Sequence, residues 1–98
     1  MPEYKVPLSE AAKLEQLAEE ASELAQAALK LARIYRKENP TPVFEKEALE
    51  NLNEEVADVA LCVQVLSNIE NYKIRRIMNR KYKRWLERLG ANGWTKNR

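Results

Sequence analysis

Two short stretches carry the residue types that could do chemistry. Glu19-Glu20-Ala21-Ser22-Glu23 and Glu54-Glu55-Val56-Ala57-Asp58 share a spacing of acid, acid, two small or apolar residues, acid. Each lies in a segment of strong helical pattern. On a helix, residues three apart are neighbours, so Glu20 pairs with Glu23 and Glu55 with Asp58. Like charges at that spacing repel by about 0.2–0.5 kcal/mol per pair even in water. One such cluster reads as a solvated surface. Two, on helices that pack together, call for a counterion. Oxygen ligands without His or Cys suit Mg2+, with Mn2+ as a substitute, better than zinc.

A second cluster complements the first. Asn79, Lys81 and Arg84 sit in "NRKYKR", and this spacing is expected to bring them close together on a later helix. Arg grips phosphate through two donors, and Lys acts as a point charge. Acids that hold a metal and bases that hold phosphate together describe phosphoryl-group chemistry. The basic and aromatic "RRIMNRKYKRW" also fits a nucleic-acid patch over 73–88, but the acidic remainder argues against a broad one.

Composition narrows the field. The chain has no histidine, which removes His-based triads and His-ligated zinc. One cysteine, Cys62, forms no internal disulfide and reads as a buried thiol. The net charge of +2 hides a split: residues 1–70 hold 7 Lys/Arg against 14 Asp/Glu, while 71–98 hold 10 Lys/Arg and one acid, Glu87. No apolar run is long enough to span a membrane, and the start lacks a signal-peptide pattern, so a cytoplasmic protein is expected.

Three helices must position these residues. The first is expected from a Ser9 cap to about Lys37, with a stripe of Leu14, Leu17, Ala18, Ala21, Leu24, Ala25, Ala28, Leu31 and Ala32. Glu20 and Glu55 fall at the edges of the stripes. "ENPTPVF" forms a linker. The second helix is expected from Glu45 to about Asn68, with Leu49, Leu52, Val56, Val59, Val63 and Leu66 on one face. Its second half is apolar nearly all round. The third is expected over 71–89, ending at Gly90, with Ile74, Ile77, Met78, Tyr82, Trp85 and Leu89 inward. Residues 1–7 and 91–98 are expected to be irregular, with Trp94 as an anchor for the tail. The whole chain, 1–98, reads as one all-α domain: a bundle of long antiparallel helices completed by homo-oligomerisation.

With these residues in place, the chain resembles the MazG-like all-α nucleotide pyrophosphohydrolases. That family's EExxE stands here as Glu19 to Glu23, its ExxD as Glu55 to Asp58, and its N-x-K-x-x-R as Asn79, Lys81 and Arg84. The resemblance spans about residues 10–90. It implies a dimer or a dimer of dimers, and Mg2+ held by Glu20, Glu23, Glu55 and Asp58. It implies hydrolysis of a nucleoside triphosphate to monophosphate and pyrophosphate, with Asn79, Lys81 and Arg84 on the phosphates. Glu19 or Glu54 is the expected orienter of the attacking water. The other reading is a non-catalytic helical interaction module, motivated by the apolar surface of the second helix.

Overall fold

The computed structural model describes residues 4–38 and 44–91. The proline-rich link at 39–43 and the tail at 92–98, Trp94 included, lie outside the described residues. Three helices account for most of the rest: α1 Glu10–Arg36, α2 Glu45–Gln64 and α3 Asn71–Ala91. No described residue is in a strand, and no described helix is long and apolar enough to cross a membrane. The chain divides into two compact units, one ending at Ser67 and the other starting at Asn68.

α1 starts where the sequence places it. Ser9 is extended, and its hydroxyl accepts from the Ala12 amide at 3.1 Å, satisfying one of the free N–H groups of the first turn. At the far end Lys37 adopts the left-handed conformation, φ 56°. Its N–H donates to Ile34 O at 3.1 Å, and the Glu38 N–H donates to Arg33 O at 3.2 Å. This is the Schellman closure that glycine normally makes.

α1 and α2 pack against each other in opposite directions. The Glu10 carboxylate, at the start of α1, accepts from the Ser67 amide just past the end of α2, at 2.9 Å. The bond draws Glu10 below the ordinary carboxylate pKa, through the Ser67 amide first and Lys13 after it. It also explains an early stop. α2 was expected to reach Asn68 but ends at Gln64, because the following backbone turns to meet Glu10.

The packed face of α1 differs from the expected stripe. The shielded positions include the series Lys13, Leu17, Glu20, Leu24, Ala27, Leu31 and Ile34, with Glu10, Ala12, Lys30 and Ala32 half-buried beside it; Leu14, Ala18, Ala21, Ala25 and Ala28 are exposed. Along α2 and just past its end the corresponding series is Ala48, Leu52, Glu55, Val59, Cys62 and Leu66, with Val63 and Val65 half-buried beside it, while Leu49 and Val56 are exposed. Both sets step by three and four residues in alternation, the spacing of a two-helix seam. By that register Leu24 lies level with Leu52, Ala27 with Ala48, and Leu17 with Val59. The core is thin: among the described residues Ala27, Leu31, Ala48, Cys62 and Leu66 are the buried apolar ones.

In the second unit, α3 begins with the Ile74 N–H donating to Glu70 O at 3.0 Å. It runs through Gly90 to Ala91 rather than stopping there. A single glycine costs a helix only about 1 kcal/mol. The apolar residues expected to face inward, Ile74, Ile77, Met78, Tyr82 and Trp85, are exposed, and Leu89 is half-buried.

Candidate metal centre

The seam brings three of the four proposed ligands together. Glu20 and Glu23 of α1 and Glu55 of α2 each offer a carboxylate oxygen, all within 4.8 Å of one another. Glu20 and Glu55 are half-buried at seam positions, not at the stripe edges; Glu23 is exposed. Asp58 stands outside this triplet and is exposed, yet its charge is felt by both seam glutamates.

Helix geometry places the remaining acids. Glu19 and Glu23 each precede a seam position of α1 by one residue, and Glu54 and Asp58 do the same on α2. In an antiparallel pair such positions lie on one common side. The middle of one long side of the α1–α2 hairpin is therefore acidic, with Lys30 and Arg33 further along the same α1 lane. All four of these acidic side chains are exposed there. An open groove lined by Ala18, Glu19, Glu20, Ser22 and Glu23 runs over the α1 part of the cluster.

The electrostatics are those of crowded anions. Loss of water pushes the Glu20 carboxyl above its ordinary pKa, and the charges of Glu23 and Asp58 push the same way. Gln16 opposes this by donating its Nε2–H to Glu20 Oε2 at 2.8 Å. Glu55 is raised by desolvation first, then by Asp58, Glu20 and Glu54. Its Oε1 is shielded from solvent and has no hydrogen-bond partner. A carboxylate oxygen in that position is costly unless a proton or a cation meets it. The donor set is all oxygen, which suits a hard divalent ion. Cys62 lies under the cluster; burial, then Glu20 and Asp58, raise its pKa, so the thiol stays protonated and unreactive.

The basic residues form a separate feature on α3. Asn79, Lys81 and Arg84 are all exposed. Lys81 and Arg84, three apart, are neighbours. Asn79 lies about 160° around the axis from Lys81, so the helix separates a pair that the motif spacing was expected to bring together. Lys81 falls between Ile77 and Trp85 in the apolar lane of α3, a cation where the lane otherwise carries hydrophobic side chains. Arg76, by contrast, is engaged with Tyr72, its guanidinium 5.6 Å from the ring centroid.

Gln16 is the site residue that motif reading missed. Its spacing of four from Glu20 is the signal that could have found it. No family model matches this chain, and neither a curated protein nor a solved structure does.

Proposed function

We propose that this chain is a Mg2+-dependent nucleoside triphosphate pyrophosphohydrolase, releasing a nucleoside monophosphate and pyrophosphate. The observation that carries the reading is the Glu20–Glu23–Glu55 cluster, in which a water-shielded Glu55 oxygen has no donor. Glu20, Glu23, Glu55 and Asp58 would hold the ion, with Mn2+ as a substitute. The bound ion would neutralise phosphate charge and acidify water. Gln16 fixes the Glu20 carboxylate. Glu19 or Glu54, on the same side of the hairpin, is proposed to orient the attacking water. Lys81 and Arg84 are proposed to stabilise negative charge on phosphate oxygens; Asn79, turned away from Lys81 on the helix, has no part in that grip. A homodimer or homotetramer completes the helical bundle in this reading.

The test is pyrophosphate release from a panel of ribo- and deoxynucleoside triphosphates, with magnesium and with chelator. Release that needs magnesium, and that Glu55→Gln and Asp58→Asn abolish, is the expected result. Full activity in those variants would place the site elsewhere.

The exposed apolar residues of all three helices favour a second reading, a non-catalytic helical interaction module. It expects no turnover of any nucleotide and no change in melting temperature with magnesium.

A further inference from the structure

α3 is the basic helix of the chain. Between Asn71 and Ala91 it holds 8 Lys/Arg and one acid, Glu87. Helical geometry, at about 100° per residue, gathers its apolar side chains on one side. Ile74, Trp85, Met78, Leu89, Tyr82 and Leu86 follow one another around an arc of about 120°. Met78, Tyr82 and Trp85 are 61%, 58% and 59% exposed, and Ile74 is 39% exposed. Leu86 and Leu89 are half-buried. Arg75 is the one cation inside this arc, near its edge. Lys83, Arg76, Arg80, Lys73 and Arg84 occupy the opposite side, with Glu87 among them. Lys81 and Arg88 lie between the two sides, next to Ile77, which stands outside the apolar arc.

We propose that α3 lies along an anionic lipid surface, with its apolar arc toward the acyl chains and its cations toward the headgroup phosphates. Two observations choose this occupant. The first is segregation. A single-stranded nucleic acid needs aromatic faces in the same groove as the cations. Here five cations are turned away from Trp85 and Tyr82. Four of the six apolar residues, Ile74, Met78, Leu86 and Leu89, have no ring on which a base could stack. A lipid interface presents hydrocarbon on one side and charge on the other, in the order the helix itself has. The second is the border. Arg75, Lys81 and Arg88 sit at the margins of the apolar arc, where a long alkyl stem lies on hydrocarbon while the charged head reaches phosphate. Trp85 and Tyr82 bring rings with one apolar and one polar end, suited to the same boundary. No described helix is long and apolar enough to cross a membrane, so the fit is to its surface. The inference rests on α3 alone and stands whether or not the chain is an enzyme.

Flotation of the full chain with vesicles tests it, using phosphatidylcholine alone or mixed with phosphatidylglycerol. Binding at least about tenfold tighter to the mixed vesicles is expected, since each cation near an anionic surface adds to the attraction. Equal binding to both, or binding to neither, would overturn the proposal. Met78→Glu with Trp85→Glu should abolish binding. Undiminished binding by that variant would mean that charge alone holds the chain, and the apolar arc would have no part. A second measurement needs no disruptive variant. Trp94→Phe leaves Trp85 as the one tryptophan. Its emission should shift to the blue on binding and be quenched by lipids brominated in their acyl chains. Unquenched emission from the bound chain would overturn the proposal. So would a Trp85 already blue-shifted and shielded from acrylamide in the free chain, since protein would then cover the arc. A single-stranded oligonucleotide that strips the chain from mixed vesicles at equal phosphate concentration would overturn it in favour of nucleic acid.

Discussion

Glu20 of α1 and Glu55 of α2 bring carboxylate oxygens within 4.8 Å of each other at seam positions where the neighbouring levels hold Leu, Ala and Val. Two anions thus occupy places that packing alone would give to hydrocarbon. Desolvation comes first in raising both pKa values; Glu23 and Asp58 raise Glu20 further, Asp58 and Glu20 raise Glu55 further, and Glu55 Oε1 has no donor. The hairpin is therefore less stable than an apolar residue at either position would make it.

The first prediction concerns pH. A carboxyl whose folded pKa is raised binds more protons in the folded chain than in the unfolded one. Stability then falls as pH rises through the folded value, and rises on acidification until the ordinary value near 4.5 is reached. In chelator, the melting temperature should increase from neutral pH down towards that value. Glu20→Gln with Glu55→Gln should flatten the profile. Glu10 acts in the opposite sense: its pKa is lowered, so its contribution is present above the ordinary value and lost as pH falls below it.

The second prediction separates stability from binding. Glu55→Leu completes the hydrophobic seam and removes the unpartnered oxygen. It should raise the metal-free melting temperature by several degrees. It should also abolish any rise that magnesium produces in the parent chain. Stabilisation without loss of the magnesium response would mean that Glu55 is not a ligand.

The third concerns the seam itself. Leu31 is 5% exposed in a core with few large side chains. Leu31→Ala should cost about 2–5 kcal/mol, measured by urea unfolding. Leu14→Ala, on the opposite count of α1, should cost far less in the monomer, since Leu14 is 51% exposed.

The contrast between Leu31 and Leu14 shows why the sequence was only partly legible. α1 carries two apolar lanes one residue apart, and both have helical spacing. Periodicity identifies the helix but not the lane its partner takes. The chosen lane contains Lys13 and Glu20, which disguise it, and the exposed one is nearly all alanine. Helix starts were readable because a Ser9 cap is a local device. The end of α2 was not, because it depends on a bond between Ser67 and Glu10, distant in sequence. The acid triplet was legible for the opposite reason. Spacing of three sets the Glu20–Glu23 pair and the antiparallel hairpin brings Glu55 to it, while Asp58, the fourth acid expected, stays outside.

A fourth prediction tests a local strain. Lys37 holds φ 56° to close α1, a conformation costly to any residue with a Cβ and free to glycine. Lys37→Gly should stabilise the hairpin by about 0.5–1 kcal/mol in chemical unfolding. An unchanged or lowered stability would mean that the side chain contributes more than the backbone releases.

The last prediction weighs the cations of α3 against each other. Lys81 sits in an apolar lane, and Arg80 does not, though both are exposed and carry the same charge. If the proposed hydrolase holds phosphate through specific contacts, Lys81→Ala should weaken nucleotide binding by about ten- to a hundredfold, the worth of one charge-assisted hydrogen bond. Arg80→Ala should change KM less than about threefold, as an exposed charge acting at a distance does. Asn79→Ala should resemble Arg80→Ala, because the helix turns Asn79 away from Lys81. Steady-state kinetics at fixed ionic strength distinguishes the cases. Equal losses in all three variants would mean that the helix acts through its summed positive field and not through a defined phosphate site.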